Sequence, residues 1–320
     1  MDATGAPCFS LIVATLGRVG PLERLLASLA AQQLRSFDVI VVDQNHDLDL
    51  RPVLARWSGL IAIRHVCAPH VCGVSAARNL GWRTAAGTRL IFPDDDCWYP
   101  RDYLRRVNWM MDATGAAMLT GRAADCFGRT INGRFGPAFA EITRANAFTS
   151  QIEWNMALNA DLMCRLGGYD EAISLGGMTP WQGGEGYDLV LRAIALGARC
   201  VYHPDVVGHH DELPVADPDA AMIAKGRAYG RGLGFVLRKH GYGVASIGWW
   251  SARSAFNLAR AAIMLRPGRV RYFASQLLGR IEGWLGVTLG SAGIRPIGME
   301  RASLSSRAAS SRSGPCPPLQ

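Results

Sequence analysis

Three consecutive aspartates, Asp94 to Asp96, follow a short apolar run in the stretch FPDDDCWYP. Neighbouring like charges repel, and a turn alone does not need three of them. Side chains alternate between the two faces of an extended chain, so Asp94 and Asp96 can bind one ligand while Asp95 points away and tolerates substitution best. Carboxylates so placed suit a hard divalent cation, Mn²⁺ or Mg²⁺, whose coordination a diphosphate completes. The alternative is a solvated loop whose acids cap the following helix.

Two further stretches carry polar side chains that could bind the same ligand. Asp43 ends the apolar run VIVVD and can accept a hydrogen bond from a base imide N–H or a ribose hydroxyl; the alternative is a turn or N-cap residue. Arg78 and Asn79 lie in GVSAARNLG, a helical stretch whose small residues let it approach a sheet closely. We expect this helix to direct the pair at the site, although many surface helices carry an arginine.

A second acidic stretch, GGEGYDLVLRAIALG, is suited to proton transfer. Glu185 lies in a glycine-rich loop just before a helix, where free N–H groups and the helix dipole favour an ionised carboxylate. It can act as a general base, or it can supply first-turn charge together with Asp188. His209 and His210 follow the next strand, and either becomes a further metal ligand if it falls in the same cleft; an adjacent pair is otherwise ordinary surface.

Alternating strands and helices must position these residues. Continuous β-branched runs predict buried strands, and leucines at helical spacing predict a helix between them. The predicted strands are residues 9–16, 37–43, 61–66 and 88–96, with helices at 22–34 and 73–85. This alternation predicts an α/β fold with right-handed βαβ units and a mostly parallel sheet. Ligands bind such sheets at the carboxyl ends of the strands, where Thr15, Asp43 and the three aspartates fall.

Beyond residue 100 the pattern is mixed. Predicted helices lie near 102–113, 159–166 and 187–197, and predicted strands near 116–123 and 199–204. Residues 219–240 and 245–285 form two or three amphipathic helices, with arginines on one face and large apolar side chains on the other. Arg253, Arg260 and Arg266 interrupt the most apolar part, which favours an in-plane interfacial helix over a spanning one. We therefore expect a domain at 1–215, a basic amphipathic helical region at 216–298 and a disordered tail at 299–320.

Composition and charge narrow the classes of protein. The eight cysteines are scattered, without CxxC pairs or Cys/His ligand spacing, which predicts free thiols in the cytoplasm. The N-terminus lacks the basic region of a signal peptide. Residues 221–320 hold fifteen Lys or Arg and two acids, whereas residues 1–220 hold nineteen and twenty-four. This asymmetry predicts that the C-terminal third meets an anionic membrane surface, and hence a protein peripheral to the inner face of a membrane.

Five stretches together resemble the family 2 inverting glycosyltransferases of the GT-A fold, over about residues 9–212. Thr15 and Arg18 stand at the family's T-x-x-R positions in FSLIVATLGRVG, and VIVVDQNHD is similar to the family's VVDDGSTD up to Asp43. GVSAARNLG matches G-x-x-x-A-R-N-x-G, LIFPDDDCWYP matches the strand with its D-x-D, and GGYDE is similar to GGFDE. Each match is weak alone, but the five occur in the family's order and spacing.

The resemblance implies a Rossmann-like GT-A domain that transfers a sugar, with inversion, from a nucleotide-sugar donor. The acceptor implied is a hydroxyl of a glycan or of a polyprenyl-linked glycan, in the synthesis of cell-surface polysaccharide. The donor-binding residues implied are Thr15, Arg18, Asp43, Arg78, Asn79 and Asp94. A Mn²⁺ or Mg²⁺ ion would be held by Asp94, Asp96 and one of His209 and His210, where it would stabilise charge on the leaving diphosphate.

One departure from the family pattern concerns the base. The family's catalytic loop reads G-E-D-x-D, and its first Asp is commonly assigned as base, but Gly186 stands at that position. The base is then Glu185, which we favour, or Asp188. A sugar nucleotidyltransferase is an alternative class, although TLGRVGP is a poor phosphate-binding loop. A basic nucleic-acid-binding protein is another, although no nucleic-acid motif accompanies the basic residues, and we expect no nucleic-acid partner.

Overall fold

The computed structural model describes residues 6–212 and 217–289. The strands are β1 (Phe9–Thr15), β2 (Phe37–Asp43), β3 (Ala62–Cys67), β4 (Arg89–Ile91), β5 (Met118–Ala124), β6 (Ala140–Glu141), β7 (Met156–Asn159) and β8 (Cys200–His209). The helices are α1 (Val19–Ala30), α2 (Arg51–Trp57), α3 (Val74–Trp82), α4 (Tyr103–Thr114), α5 (Ala160–Leu166), α6 (Glu185–Ala195), α7 (Ala220–Lys239), α8 (Val244–Ile263) and α9 (Pro267–Leu285). In the described ranges the strands form one sheet, in the order β3-β2-β1-β4-β7-β5-β8-β6.

The first four strands run parallel, as the alternating pattern predicts. Thr15 at the end of β1 is level with Asp43 at the end of β2, and Ala14 bridges to Asp94 just beyond β4. Strand β7, which the sequence analysis does not predict, runs antiparallel between β4 and β5; helix α2 is a second addition. The expectation of an α/β fold with a mostly parallel central sheet and C-terminal helices is confirmed.

Alternate residues of the central strands fill two hydrophobic cores, one on each face of the sheet. On one face, Leu11 and Val13 of β1 pack with the leucines of α1. On the other face, Ile12 packs in the core with Ala77 of α3. Helix α3 approaches so closely that a methyl group on Gly81 would lie 2.5 Å from Ile12 Cγ2. The small residues of this helix therefore set the depth at which its polar side chains meet the sheet edge.

Helices α7 and α9 pack backbone to backbone through glycines. A methyl group on Gly230 would lie 2.5 Å from the Gln276 carbonyl oxygen, and one on Gly283 would lie 2.0 Å from that of Arg231. Between these helices the carboxylate of Glu282 is fully buried. Close packing of glycine-bearing helix faces explains why this basic region folds as a compact unit although its arginines repel one another.

The C-terminal helices are joined to the sheet domain and are not a loose appendage. Phe235 of α7 stacks on Trp181 with ring centroids 4.8 Å apart. A methyl group on Gly232 would lie 1.8 Å from the Gly183 carbonyl oxygen. Of the predicted region 216–298 the structure describes residues 217–289, which contain three helices, and the predicted tail at 299–320 lies outside the described residues. Among the described helices none has the length and apolarity needed to cross a membrane.

Candidate active site

The three aspartates that follow β4 turn to different partners. Asp94 Oδ1 accepts a hydrogen bond from Arg78 at 2.8 Å, and Asp96 Oδ1 lies 3.1 Å from His210 Nε2. Burial alone would raise the pKa of Asp96, but its contacts with His210 and Arg18 hold that pKa at about 2. Asp94 and Asp96 thus both face the carboxyl edge of the sheet, Asp94 beside Arg78 and Asp96 beside His210 and Arg18.

The middle aspartate contradicts the expectation that it points away from the site and tolerates substitution. Asp95 is 6% exposed and accepts a hydrogen bond from the Thr15 hydroxyl at 2.8 Å. Arg18 donates to it at 2.9 Å and also bonds Asp96. Burial raises the pKa of Asp95 to about 7. The residue ties the end of β1 to the aspartate loop, so Thr15 and Arg18 support that loop directly.

The adjacent histidines separate because neighbouring side chains at a strand end point to opposite sides. His210 faces Asp96; burial would lower its pKa, but the hydrogen bond with Asp96 raises it. His209 stacks on Trp98 with ring centroids 5.6 Å apart, and its Nδ1 lies 2.9 Å from the Asp125 carbonyl oxygen. His210 therefore joins the aspartates, whereas the assignment of His209 as a metal ligand is corrected.

Helix α3 brings Arg78 to the site but turns Asn79 away from it. Arg78 is buried, with one guanidinium nitrogen 2.8 Å from Asp94 and another 2.6 Å from Glu153 Oε1. Asn79 donates to the Tyr169 carbonyl oxygen (2.9 Å) and to Glu171 (2.8 Å), and it accepts from the Tyr169 N–H (2.8 Å). The structure thus uses Asn79 to fix the GGYDE stretch, and the expected position of Asn79 at the donor is corrected.

Asp43 is buried and already holds two neighbours. Its Oδ1 accepts from the backbone N–H (3.0 Å) and the side chain (2.7 Å) of Asn45, and its Oδ2 lies 2.9 Å from His65 Nε2. Asn45 in turn accepts from the Gly17 N–H at 2.6 Å, in the turn after β1. The departure from the family pattern after Asp43 therefore places an amide that braces this turn.

The two candidate bases of α6 have opposite environments. Glu185 begins the helix, and its buried carboxylate accepts the Leu175 N–H at 2.5 Å; burial raises its pKa. Asp188 is 1% exposed and is surrounded by the side chains of Arg192 (2.7 Å), Lys239 (2.6 Å) and His240 (2.8 Å). Burial opposes ionisation of Asp188, but His240, Arg192 and Lys239 hold its pKa well below the usual range. Asp188 anchors α6 to the end of α7 and is not placed to accept a proton from a substrate.

A carboxylate that the sequence analysis does not single out lines a cavity beside these residues. Glu153 begins a short 3₁₀ turn just before β7, a strand that is also missing from the prediction. The cavity has a volume of about 340 Å³, and its walls include Arg134, Phe148, Glu153, Gly186, Tyr187 and Trp250. Burial raises the pKa of Glu153 to about 8, against the opposing effect of Arg78. The only sequence signal is one acid between apolar residues in QIEWNMALN.

The side chains at the sheet edge fit a divalent cation in chemistry, although they do not form a closed ligand set. Within residues 6–212 and 217–289, no three His, Cys, Asp or Glu side chains are grouped as metal ligands. The 3.1 Å between Asp96 Oδ1 and His210 Nε2 is nevertheless close to the spacing of adjacent ligands on an octahedral ion with bonds of about 2.1 Å. The half-exposed carboxylate of Asp94 adds a third hard ligand at the same edge.

The sequence of this chain is similar to those of known glycosyltransferases and polysaccharide biosynthesis proteins. Residues 10–162 match the family described as Glycosyl transferase family 2. A PGL/p-HBAD biosynthesis glycosyltransferase of Mycobacterium bovis is 33% identical over 138 residues, which are 42% of this chain and 52% of that protein. Succinoglycan biosynthesis protein ExoM of Rhizobium meliloti is 27% identical over 289 residues, 82% of this chain and 88% of that protein. The chain thus spans about half the length of the mycobacterial relatives.

Solved structures show the fold. A mannosyltransferase of Pyrobaculum calidifontis, in complex with GDP-Man and Mn²⁺, aligns with a TM-score of 0.58 at 17% identity, over 87% of each chain. TarS 1-349 of S. aureus in complex with UDP aligns with a TM-score of 0.53 at 17% identity, over 88% of this chain and 93% of that one. These likenesses show that the α/β domain has the fold of GT-A glycosyltransferases.

Proposed function

We propose that this chain, whose residues 10–162 match Glycosyl transferase family 2, is a metal-dependent inverting glycosyltransferase. The observation that carries the proposal is the meeting of Asp94, Asp96, His210 and Arg78 at the carboxyl edge of a parallel sheet, beside a cavity with a carboxylate in its wall. The similar proteins named for PGL/p-HBAD and succinoglycan biosynthesis support a glycan or lipid-linked acceptor in cell-surface polysaccharide synthesis.

The donor is a nucleotide sugar whose diphosphate lies at the aspartate loop. Asp94, Asp96 and His210 would hold the Mn²⁺ or Mg²⁺ ion, which supplies Lewis-acid stabilisation of the leaving diphosphate. Arg18 is half-buried at the same loop and adds a second positive charge near the leaving group. Complexes of the structural neighbours with GDP-Man and with UDP support a nucleotide donor.

The acceptor occupies the cavity of about 340 Å³. Its aromatic walls suit stacking against a sugar ring, and Arg134 and Arg253 suit a phosphate or another anionic group on the acceptor. Attack by the acceptor hydroxyl from the face opposite the leaving diphosphate inverts the anomeric carbon, and a carboxylate of the site accepts the proton. Trp250 and Arg253 come from α8, so the C-terminal helices complete the acceptor cavity.

The outer face of α8 is proposed to rest on an anionic membrane. Three large apolar side chains of α8, spaced seven residues apart, are exposed: Trp249 (74%), Phe256 (68%) and Ile263 (82%). The exposed side chain of Arg260 lies along the same helix and complements anionic headgroups. A single helix that lines the acceptor cavity with one face and meets the bilayer with the other suits a polyprenyl-linked acceptor held in that bilayer.

A thermal-shift screen of UDP, GDP, UDP-GlcNAc and GDP-Man, with and without Mn²⁺, tests the donor site. We expect a Mn²⁺-dependent rise in melting temperature for one nucleotide class, and loss of that rise in Asp96→Ala. The matched variant Asp49→Ala, an exposed aspartate in the ion pair with Arg51, keeps the shift. The proposal is wrong if no nucleotide stabilises the wild-type protein at millimolar concentration.

Sedimentation with vesicles of phosphatidylglycerol and phosphatidylcholine tests the membrane face. The double variant Trp249→Ser, Phe256→Ser removes about 2 kcal/mol or more of burial per side chain and should weaken binding at least tenfold. Trp109→Ser, which removes an exposed tryptophan of α4, is the matched control. Equal sedimentation of all three proteins would contradict the membrane proposal, and equally tight binding to duplex DNA would favour the nucleic-acid alternative.

A further inference from the structure

The cavity wall contains one ionisable carboxylate that the pattern of the chain does not explain. Glu153 lines the cavity, whereas Glu185 is not among the residues of its wall. Oε1 of Glu153 lies 2.6 Å from Arg78 Nη1 in an ion pair, but within the described ranges this buried oxygen accepts no hydrogen bond. Glu185 Oε1, by contrast, accepts the Leu175 N–H. Of the two glutamates, Glu153 is the one that lines the cavity and has a buried oxygen with hydrogen-bonding capacity left for a molecule there.

Glu153 occupies the space that a side chain at position 186 would need. A methyl group on Gly186 would lie 2.9 Å from Glu153 Cβ and 3.0 Å from Gln151 Oε1. Real Cβ atoms essentially never approach a neighbour at 2.9 Å, so residue 186 can carry a side chain only if Glu153 moves. Gly186, in the first turn of α6, thus leaves room for the carboxylate of Glu153 to reach the cavity.

Arg78 couples this carboxylate to the donor side of the site. Its buried guanidinium contacts Asp94 at 2.8 Å and Glu153 at 2.6 Å, so one rigid planar group sets the distance between the two carboxylates. The backbone of the Glu153 segment is fixed as well, because Asn155 donates to the Val206 carbonyl oxygen at 3.0 Å and to that of Arg122 at 2.9 Å. Glu153 is therefore held in place from both ends.

We propose that Glu153 is the general base of the transfer and that Glu185 is a positioning residue for the loop at Leu175. This inference rests on the proposed function. The acceptor O–H bond breaks as its proton passes to the carboxylate of Glu153, and the acceptor oxygen forms a bond to the anomeric carbon. The bond from that carbon to the diphosphate oxygen breaks, and its electron pair leaves with the nucleoside diphosphate. No oxidant or further reactant is needed.

The environment of Glu153 suits a base in mildly alkaline solution, where its carboxylate is ionised. Burial raises its pKa to about 8, while Arg78 opposes the rise. Glu185, Asp94 and the Tyr169 hydroxyl face the same region. Their negative or polar groups raise the affinity of the Glu153 carboxylate for a proton. A carboxylate with raised basicity removes a hydroxyl proton more effectively than an ordinary one.

The experiment compares Glu153→Gln, Glu185→Gln and the exposed control Glu141→Gln, using the nucleotide sugar found in the thermal-shift screen and a panel of alkyl glycoside acceptors. We expect Glu153→Gln to lower kcat about 10³-fold while its donor-induced thermal shift stays within error of wild type. Glu185→Gln keeps a carbonyl oxygen for the Leu175 N–H and should lose less than tenfold. Wild-type turnover by Glu153→Gln, or a larger loss in Glu185→Gln, would overturn the assignment.

A second variant separates chemistry from folding. In Glu153→Gly, Gly186→Asp, which removes the Cβ atom of residue 153 that would clash, a carboxylate enters the same cavity from α6, and we expect turnover at least tenfold above that of Glu153→Gly. Sodium formate should also raise turnover of Glu153→Ala, because a small carboxylate fits the vacated space, but should not raise that of Glu185→Ala. A purely structural role of Glu153 predicts neither form of rescue. Absence of any donor binding by the wild-type protein would instead refute the proposed function.

Discussion

Two clusters of buried charge in this protein are built on opposite principles. The acidic cluster at the sheet edge sets five carboxylates against two arginines and a histidine; its members are Asp94, Asp95, Asp96, Glu153, Glu185, Arg18, Arg78 and His210. The helix cluster between α7 and α9 sets one carboxylate against two arginines. Glu282 lies 2.5 Å from Arg227 and 2.6 Å from Arg231.

The pKa values follow from this difference in balance. In the acidic cluster, burial raises the pKa of Asp95 to about 7 and that of Glu153 to about 8, because the few cations cannot compensate every carboxylate. In the helix cluster, burial would raise the pKa of Glu282, but Arg227 and Arg231 hold it at about 2. A site with excess negative charge favours the binding of an added cation. A carboxylate whose charge is fully compensated by neighbouring arginines instead stabilises the folded protein.

The largest expected effect is the loss of turnover in a variant of the acidic cluster. Asp96→Asn removes one expected metal ligand, and turnover should fall about 10³-fold, equivalent to about 4 kcal/mol. The unfolding free energy of the metal-free protein should fall by about 1 to 2 kcal/mol, because the contacts with His210 and Arg18 that hold the pKa of Asp96 at about 2 are weakened while repulsion among the aspartates is relieved. Steady-state kinetics and urea denaturation measure the two effects. A large loss of stability would show that this cluster is structural, like the helix cluster.

The helix cluster should respond in the opposite way. Glu282→Gln leaves two arginines without a counter-charge next to fully buried packing, and the unfolding free energy should fall by about 3 kcal/mol. The donor-induced thermal shift should remain, because Glu282 lies between the C-terminal helices and not at the sheet edge. Urea denaturation followed by circular dichroism measures the loss, with the exposed Glu141→Gln as control. Equal stability of the two variants would contradict a stabilising role of the helix cluster.

Much of the fold could be predicted from sequence because its signals are local. The runs 9–16 and 37–43 are apolar and β-branched, and they appear as β1 and β2 within one residue of the predicted ends. Strand β7 escaped prediction because it is a four-residue antiparallel insertion whose pairing with β4 and β5 is set by residues far away in the chain. Short strands held by non-local pairing carry little pattern of their own.

The site was predictable in its location but less so in the roles of its residues. Strand ends identified Thr15 and the aspartates, because parallel strands share one carboxyl edge. The burial of Asp95, the turn of Asn79 towards Tyr169 and the pairing of Asp188 with Lys239 depend on contacts between segments 50 to 90 residues apart. Such contacts leave no periodic signal, and for the same reason Glu153 was not singled out.

Two glycine substitutions in the C-terminal helices should have smaller and opposite effects on the free energy of unfolding. Gly283→Ala places a methyl group 2.0 Å from the Arg231 carbonyl oxygen, so α7 and α9 must separate around Glu282. The unfolding free energy should fall by about 2 kcal/mol. Gly248→Ala is the matched control in exposed helix α8, where no atom lies within 4 Å of the new methyl group, and it should stabilise the protein by up to about 1 kcal/mol. Melting temperatures of both variants test this, and a stabilising Gly283→Ala would contradict the backbone contact.

The smallest expected effect is the acid sensitivity that Glu282 confers. Its pKa is about 2 in the folded protein, because Arg227 and Arg231 outweigh burial, and about 4.3 in an unfolded chain. Its stabilising contribution is complete above the unfolded value and is lost as the pH falls towards the folded value. Between pH 6 and pH 3.5 the stability advantage of wild type over Glu282→Gln should therefore shrink by about 1 kcal/mol. Urea denaturation of both proteins at the two pH values measures this difference, and because Asp96 and Asp188 titrate identically in both, a constant gap would mean that the arginines do not hold the Glu282 charge.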